Sequence, residues 1–408
     1  PPTHCAETEI DNYQEIAFLD SMKILHTSDW HLGHTLYNYD RTEEQMAMLL
    51  QMVKIVKEQK PDVFLLCGDV YHTPQPSAAV QTMFTNALVE IHDACPDMAI
   101  VITAGNHDSG SKHDIFRTPW RALKVYTVGN IDTSQKEDMI IEVPGKGYVI
   151  AVPYVNERNM PKGLFQELID IALLKNADNL PIVMMAHTTV SGCDFAGHEN
   201  ASEYAVGGID SYDTDEMGTG YDYLALGHIH HGQFIHTGHH NVRYSGSPIP
   251  VSFDENYRHT VSIVEIAGHG EKPAVSEIEI NPHRPLVTLP TSGVATWEVA
   301  KELLEKYPAD IEAYIRLNVE VDDFLPAEAN AEALLICEDK RCRFCVINSR
   351  RLKRSQREAK VMSVQEFKTE EPIEIAERYA EDLGINFDSD MKELFSEALA
   401  ALKEEERM

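Results

Sequence analysis

The sequence predicts an α/β fold, on two observations. Five short apolar runs of strand length each close on Asp, Asn or His: residues 23–31, 63–69, 100–108, 182–187 and 223–230. Between the first of them lie stretches with helical spacing. After the first run, Met46, Leu49, Leu50, Val53 and Val56 share one helical face, and Pro61 stops the helix. After the second, the loop Thr73-Pro74-Gln75-Pro76 leads to Ser77, a good N-cap, and Val80, Phe84, Leu88 and Ile91 form one apolar stripe. Such βα units imply parallel strands with helices on the faces of the sheet. Residues 233–280 read as short strands and turns, expected to close the domain as antiparallel β-structure.

Composition shifts at Asn281-Pro282-His283-Arg284-Pro285. A β-α-β-α-β rhythm follows: a helix through Trp297, Ala300, Leu303, Leu304 and Tyr307, a strand alternating from Ile311 to Val319, a helix from Ala327 to Ile336, and a strand from Arg343 to Ile347. From Ser363 the pattern is helical, with Gly384 as a stop and Asp390 capping a last amphipathic helix, Met391 to Leu402. The expected organisation is an appended or upstream segment at 1–21, a catalytic α/β domain at 22–280, a small α+β domain at 281–360 and a helical tail at 361–408.

The net charge of −31 argues against an autonomous DNA-binding protein, because non-specific binding rests on Lys and Arg neutralising phosphates. An enzyme whose metal ions hold the phosphate is not excluded. The only dense basic stretch runs from Lys340 to Lys360. No apolar run reaches the length of a membrane span, and no secretory signal is expected. Seven scattered cysteines suit a reducing cytoplasm better than a disulfide framework. Cys342-x-x-Cys345 reads as a strand pair rather than half of a zinc site.

The five run ends bring the chemistry. In open α/β sheets ligands collect outside the carboxyl ends of strands. Asp29-x-His31 delivers a carboxylate and an imidazole from one turn. Asp69, with two oxygens, can bridge two ions. Asn106 adds a neutral oxygen, His187 ends a fourth strand, and His228 and His230 share a direction as i and i+2 of an extended chain. These seven residues form an expected two-metal site that activates water and clamps a phosphate ester for in-line hydrolysis. Mixed oxygen and imidazole donors favour Mn²⁺ over Mg²⁺, with Fe and Zn as alternatives. His107, beside Asn106, is the expected general acid, and His72 the residue that orients the scissile phosphate. Asp108 reads as a helix cap, or else as a support for His107. Among nineteen histidines any single one is more often structural; His26, inside a strand, reads as a core residue.

The ordered blocks resemble the calcineurin-like metallophosphoesterases. His26 to Gly33, Gly105 to Ser109, Leu226 to His230 and Arg243 to Glu255 narrow the resemblance to the SbcD family, nuclease subunits of the bacterial SbcC–SbcD DNA-repair complex. That resemblance implies a four-layered α/β/β/α metallophosphoesterase domain, a capping domain, and C-terminal helices that dock on the coiled-coil ATPase SbcC. It assigns Asp29, His31, Asp69 and His230 to one Mn²⁺ and Asp69, Asn106, His187 and His228 to the other, with His107 catalytic. It also implies a homodimer within a heterotetramer, with helix 42–56 and the region after Pro76 as candidate contacts. The implied activity is a duplex-end exonuclease and a single-strand or hairpin endonuclease. The alternatives are a phosphoesterase acting on small or cyclic nucleotides, and a structural partner of the ATPase with little activity.

Overall fold

The computed structural model of the chain describes residues 21–195, 211–235 and 240–351, with 373, 376, 391, 392, 394 and 395. Residues through Arg350 pack as one compact unit and Arg351–Met408 as a second.

The first unit begins with β1 (Met22–Thr27), α1 (Thr42–Gln59), β2 (Val63–Cys67), α2 (Ala78–Ala94), β3 (Ala99–Thr103) and β4 (Val125–Val128). These βα units form as expected. Lys60 takes a left-handed turn after α1 just before Pro61, and the Ser77 side chain accepts the Val80 N–H at 3.3 Å to start α2. β1 to β4 lie side by side and parallel, and the sheet is extended by β11 (Thr260–Ile266) and β12 (Ala274–Glu279), both antiparallel, in the order β12-β11-β1-β2-β3-β4.

A second sheet has the order β9-β10-β8-β7-β6-β5. Its strands are β5 (Ile140–Val143), β6 (Gly147–Val152), β7 (Ile182–His187), β8 (Tyr223–Gly227), β9 (Gln233–Phe234) and β10 (Val242–Tyr244), with α3 (Leu164–Lys175) between β6 and β7. β10 runs parallel to β8, so the expectation of purely antiparallel structure after residue 233 is corrected there.

The two sheets face each other. Ile24, Val63, Leu65 and Val101 of the first share one core with Val149, Val183, Met185 and Leu224 of the second, and Leu168 and Ile169 of α3 belong to the same core. On its other face the first sheet buries Leu25, Phe64, Leu66, Ile100 and Ile102 against Met48, Met52, Phe84 and Leu88 of α1 and α2. Four layers result, α/β/β/α, as the fold class predicted. Strands buried on both faces explain why these runs read as continuous apolar stretches rather than alternating ones.

Beyond residue 285 a three-stranded sheet forms from β13 (Leu286–Leu289), β14 (Tyr314–Val321) and β15 (Arg343–Arg351), covered by α4 (Trp297–Lys306) and α5 (Ala329–Cys337) around a core of its own. Buried Arg284 joins it to the first helix by pairing with Glu44, whose Oε1 also accepts the Tyr314 hydroxyl at 2.9 Å. Lys340 donates to the carbonyls of Leu304, Glu305 and Tyr307, so it caps α4 rather than offering a free charge. Arg350 and Arg351 are exposed; Lys353, Arg354, Arg357 and Lys360 lie outside the described residues, as do segment 1–20 and most of the tail helix expected at 391–402. Cys342 packs in the core of the small sheet, whereas Cys345 sits with Leu36 and Phe253 on the other side, so the two sulfurs of Cys342-x-x-Cys345 do not converge.

Candidate active site

All seven expected ligands gather where the two sheets meet. The first sheet delivers Asp29 and His31 after β1, Asp69 after β2 and Asn106 after β3. The second delivers His187 at the end of β7 and His228 and His230 after β8. Asp29, Asp69, His31, His187 and His230 are buried, while Asn106, His107, His72 and His228 are half-buried and form the open side.

The local backbone is bent for this purpose. Asp29, His31, Asp69 and His228 have φ of 54°, 45°, 49° and 98°. A side-chain-bearing residue held there costs roughly 1–2 kcal/mol, a strain typical of functional sites. It is held by backbone bonds between the loops: Asp29 N–H to the Gly68 carbonyl at 3.1 Å and His31 N–H to that of Asp69 at 3.0 Å. The glycines before two of the ligands are a packing requirement. A Cβ on Gly105 would stand 2.0 Å from Asp69 Oδ1, and one on Gly227 would stand 1.9 Å from the Cys67 carbonyl oxygen.

The donor atoms form two groups. Asp29, His31 and His230 each place a ligand atom in one cluster, and Asp29, Asp69 and His187 in a second. His31 Nε2 faces His230 Nε2 at 3.1 Å, while His187 Nε2 and His228 Nδ1 each lie 3.0 Å from Asn106 Oδ1. Asp29 belongs to both clusters, and Asp69 Oδ2, 3.7 and 3.4 Å from His31 Nε2 and His187 Nε2, also reaches both. Two donors bound at right angles to one ion at about 2.1 Å stand about 3 Å apart, so the spacing fits divalent-metal coordination. The buried Nδ1 of His31 has no hydrogen-bond partner, and protein hydrogen bonds alone do not complete this set.

Titration points the same way. Burial pulls His187 down, but the Asp69 and Asp29 carboxylates override it and push it up to about 9. Burial and the surrounding histidines hold His31 well below its usual value. Burial pushes the Asp29 carboxyl up despite His187 and His230. The carboxylates around His187 thus call for a positive charge at this place.

The imidazoles are oriented from behind. His187 Nδ1 donates to the Cys67 carbonyl at 2.8 Å, leaving Nε2 toward Asn106 and Asp69. His230 Nδ1 lies 3.1 Å from Glu255 Oε1, so its Nε2 faces the cluster. Ser28 Oγ donates to Asp29 Oδ2 at 2.5 Å. Glu255 and Ser28 were not assigned roles from sequence; Glu255 lay in the block Arg243–Glu255, which carried resemblance but no chemical signal.

His107 stands at the edge of the donor set. Its N–H donates to Asp69 Oδ1 at 2.9 Å and its Nδ1 to the His72 carbonyl at 3.0 Å. The His72 ring stacks on it, 5.6 Å between centroids. The histidine pair thus lies beside the ligands, as the sequence suggested. Asp108 corrects the expectation of a cap: Ser109, not Asp108, precedes the next helix. Its buried carboxylate accepts the N–H groups of Val70, Tyr71 and Gly105 at 3.1, 3.0 and 2.9 Å, binding the Asp69 loop to the Asn106 loop. His26 is a core residue. Its Nε2–H donates to the Leu226 carbonyl at 3.1 Å and its Nδ1 accepts from Tyr223 Oη at 3.0 Å, tying β1 to β8 across the sheets.

A family model described as calcineurin-like phosphoesterase matches residues 22–232. The chain is 30% identical over 303 residues to the SbcD subunit of the nuclease SbcCD from Rhodobacter capsulatus, covering 67% of this chain and 73% of that one. It is 30% identical over 333 residues to the protein of the same name from Bacillus subtilis, covering 75% and 81%. For the Escherichia coli K12 protein of that name the identity is 26% over 331 residues, covering 74% and 79%. The chain belongs to the calcineurin-like phosphoesterases and, within them, to the family of the SbcD nuclease subunits, metal-dependent phosphodiesterases by class.

Proposed function

We propose that the chain is the Mn²⁺-dependent nuclease subunit of a complex with an SbcC-type coiled-coil ATPase, cutting duplex ends and single-stranded or hairpin DNA. The observation that carries this is the gathering of Asp29, His31, Asp69, Asn106, His187, His228 and His230 into one donor set, with His107 at its open edge; within it we assign Asp29, His31, Asp69 and His230 to one ion and Asp69, Asn106, His187 and His228 to the other. Two divalent ions, if held by these sets, would supply Lewis-acid polarisation of the phosphate and an activated water. Asp69 would join the two sets through Oδ2, which faces His31 and His187, while its Oδ1 accepts the His107 N–H. His107, whose Nδ1–H is held by the His72 carbonyl, presents Nε2 to the departing sugar oxygen and gives up its proton there. His72, stacked on His107, fixes that ring and faces the incoming phosphate.

Other features support the partner reading. The small α+β domain expected at 281–360 fits a capping role, since its Arg284 and Arg343 bond to Glu44 and to the Asp40 carbonyl, shortly after the Asp29–His31 loop. An apolar groove of about 410 Å³ between α1 and α2 includes Met46 and Leu50, which are 51% and 60% exposed; this supports a contact between two copies. In the tail, Met391 and Leu394 are exposed, which fits a helix that docks on the ATPase. The names of the relatives supply the ATPase and the DNA-repair setting. No helix among the described residues is long and apolar enough to cross a membrane, and the six described cysteines are free thiols, which fits a cytoplasmic setting.

The test is cleavage of hairpin and linear duplex DNA with Mn²⁺, with and without the ATPase. Mn²⁺-dependent scission that the ATPase stimulates is expected. Turnover confined to mononucleotides or cyclic nucleotides would replace this reading with a small-molecule phosphoesterase, and ATPase binding without any turnover would leave a structural role.

A further inference from the structure

The small sheet carries a second pair of reactive-type side chains that the phosphodiesterase chemistry does not use. Cys337 ends α5 and Cys342 immediately precedes β15, and the turn between them brings Sγ to within 3.7 Å of Sγ. Both line a surface cavity of about 500 Å³, together with Tyr39, Leu334, Leu335 and Phe344, so a small solute reaches them. Among the described residues no third metal-type donor joins them, which leaves a dithiol and not a zinc site. The pair is asymmetric. The hydrogen bond between the two sulfurs pushes the Cys342 thiol down to about 7 against the cost of burial, with Lys340 adding to it, and pushes Cys337 up. Cys345, by contrast, is pushed up to about 12 by burial.

We propose that Cys337 and Cys342 form a thiol–disulfide modification site, oxidised by a small hydroperoxide that enters through the cavity. The Cys342 thiolate attacks one peroxide oxygen, the O–O bond breaks, and the products are a sulfenic acid and hydroxide. The Cys337 sulfur then attacks that sulfenic sulfur. The S–S bond forms, the S–O bond breaks, and the Cys337 proton leaves with the hydroxyl as water. Two thiols lose two electrons in total, and one peroxide is reduced to two waters. The sulfurs close from 3.7 Å to the bonded length of about 2 Å by a side-chain movement. Oxidation ties the end of α5 to the start of β15. The first residues of that strand hold a short hairpin after the Asp29–His31 loop, in which Thr35–Leu36 pairs with Tyr39–Asp40: the Phe344 carbonyl accepts the Tyr39 hydroxyl at 2.9 Å, and Arg343 donates to the Asp40 carbonyl at 3.3 Å. The modification therefore acts on the joint between the small sheet and the catalytic layers.

The experiment exposes the full-length, metal-loaded chain at pH 7 to limiting hydrogen peroxide, blocks the remaining thiols by alkylation, and maps peptides without reductant. A Cys337–Cys342 link that dithiothreitol removes is expected, with the same link in Cys345→Ser and none in Cys342→Ser. Cys337→Ser should stop at a Cys342 sulfenic acid, trapped by dimedone. At pH 7 the Cys342 thiol should react roughly three- to fivefold faster than an ordinary cysteine of pKa near 8.5, its larger thiolate fraction being partly offset by the lower nucleophilicity of a low-pKa thiolate. A wild-type chain in which both thiols alkylate as before treatment, or a link from Cys342 to Cys345 instead, would overturn the proposal. Because the readout is a covalent bond, it is independent of whether the metal site cuts DNA.

Discussion

Acidification should weaken the sandwich through His26, a residue with no place in the metal site. Burial, with Arg243 adding, lowers this imidazole to about 3, although its bond to the Leu226 carbonyl opposes the shift. In the unfolded chain it titrates near 6.5. Between those values the unfolded state takes up a proton that the folded state refuses, so stability is complete above pH 6.5 and falls as pH drops. The slope for one group is about 1.4 kcal/mol per pH unit, and at pH 4.5 the loss from His26 alone reaches about 2.7 kcal/mol. His26→Gln isolates it, because the Gln amide also offers a donor for Leu226 and an acceptor for Tyr223. Urea unfolding of both proteins in a chelator, at half-unit steps from pH 4.5 to 7, gives the difference in slope directly. The variant should lose less stability than wild type on acidification, by about one proton's worth. Parallel curves would show that His26 is protonated in the folded state and refute the tautomer assigned from its two hydrogen bonds.

His107→Leu should keep both ions by elemental analysis and lose cleavage by a factor of roughly 10²–10⁴, because it removes a proton donor and not a ligand; metal loss would move it into the ligand set. Asp69→Ala should release or scramble both ions, and unaltered occupancy would show that another residue joins them. Glu255→Gln should weaken metal affinity by roughly 10–100-fold, since Glu255 orients His230 without belonging to the donor set; calorimetric titration with Mn²⁺ decides it. Gly227→Ala forces a methyl against the Cys67 carbonyl and should cost about 3 kcal/mol or more, read as a lowered Tm in the metal-free protein.

The ligands were legible because Asp, Asn and His closing apolar runs is a local pattern. The helices were legible because Pro61 and Ser77 mark their ends. Glu255 was not, since its value depends on a loop that returns to His230 from 25 residues further along the chain. Asp108 misled for a related reason: a carboxylate next to a helix start reads as a cap, whereas here it satisfies three N–H groups of two loops. The direction of β10 was hidden because a strand of three residues, Val242–Tyr244, carries no sign of parallel or antiparallel pairing. Lys340 looked like part of a basic face, but the open carbonyls at the end of α4 claim it. The left-handed backbone at Asp29, His31, Asp69 and His228 had no sequence mark, because nothing in a residue's name reports the loop contacts that impose it.

The division of ligands between two sheets makes ion binding a measure of their alignment. One sheet brings every oxygen donor and His31, and the other brings only imidazoles, so neither half chelates fully by itself. An ion held by donors from both sheets would act as a bolt across the sandwich. By mass action an ion present at a hundredfold excess over its Kd adds about 2.7 kcal/mol against any opening that separates the halves. The linkage also runs backward: a small void placed between the sheets, as in Val183→Ala, should loosen the grip on the ions without altering a single ligand.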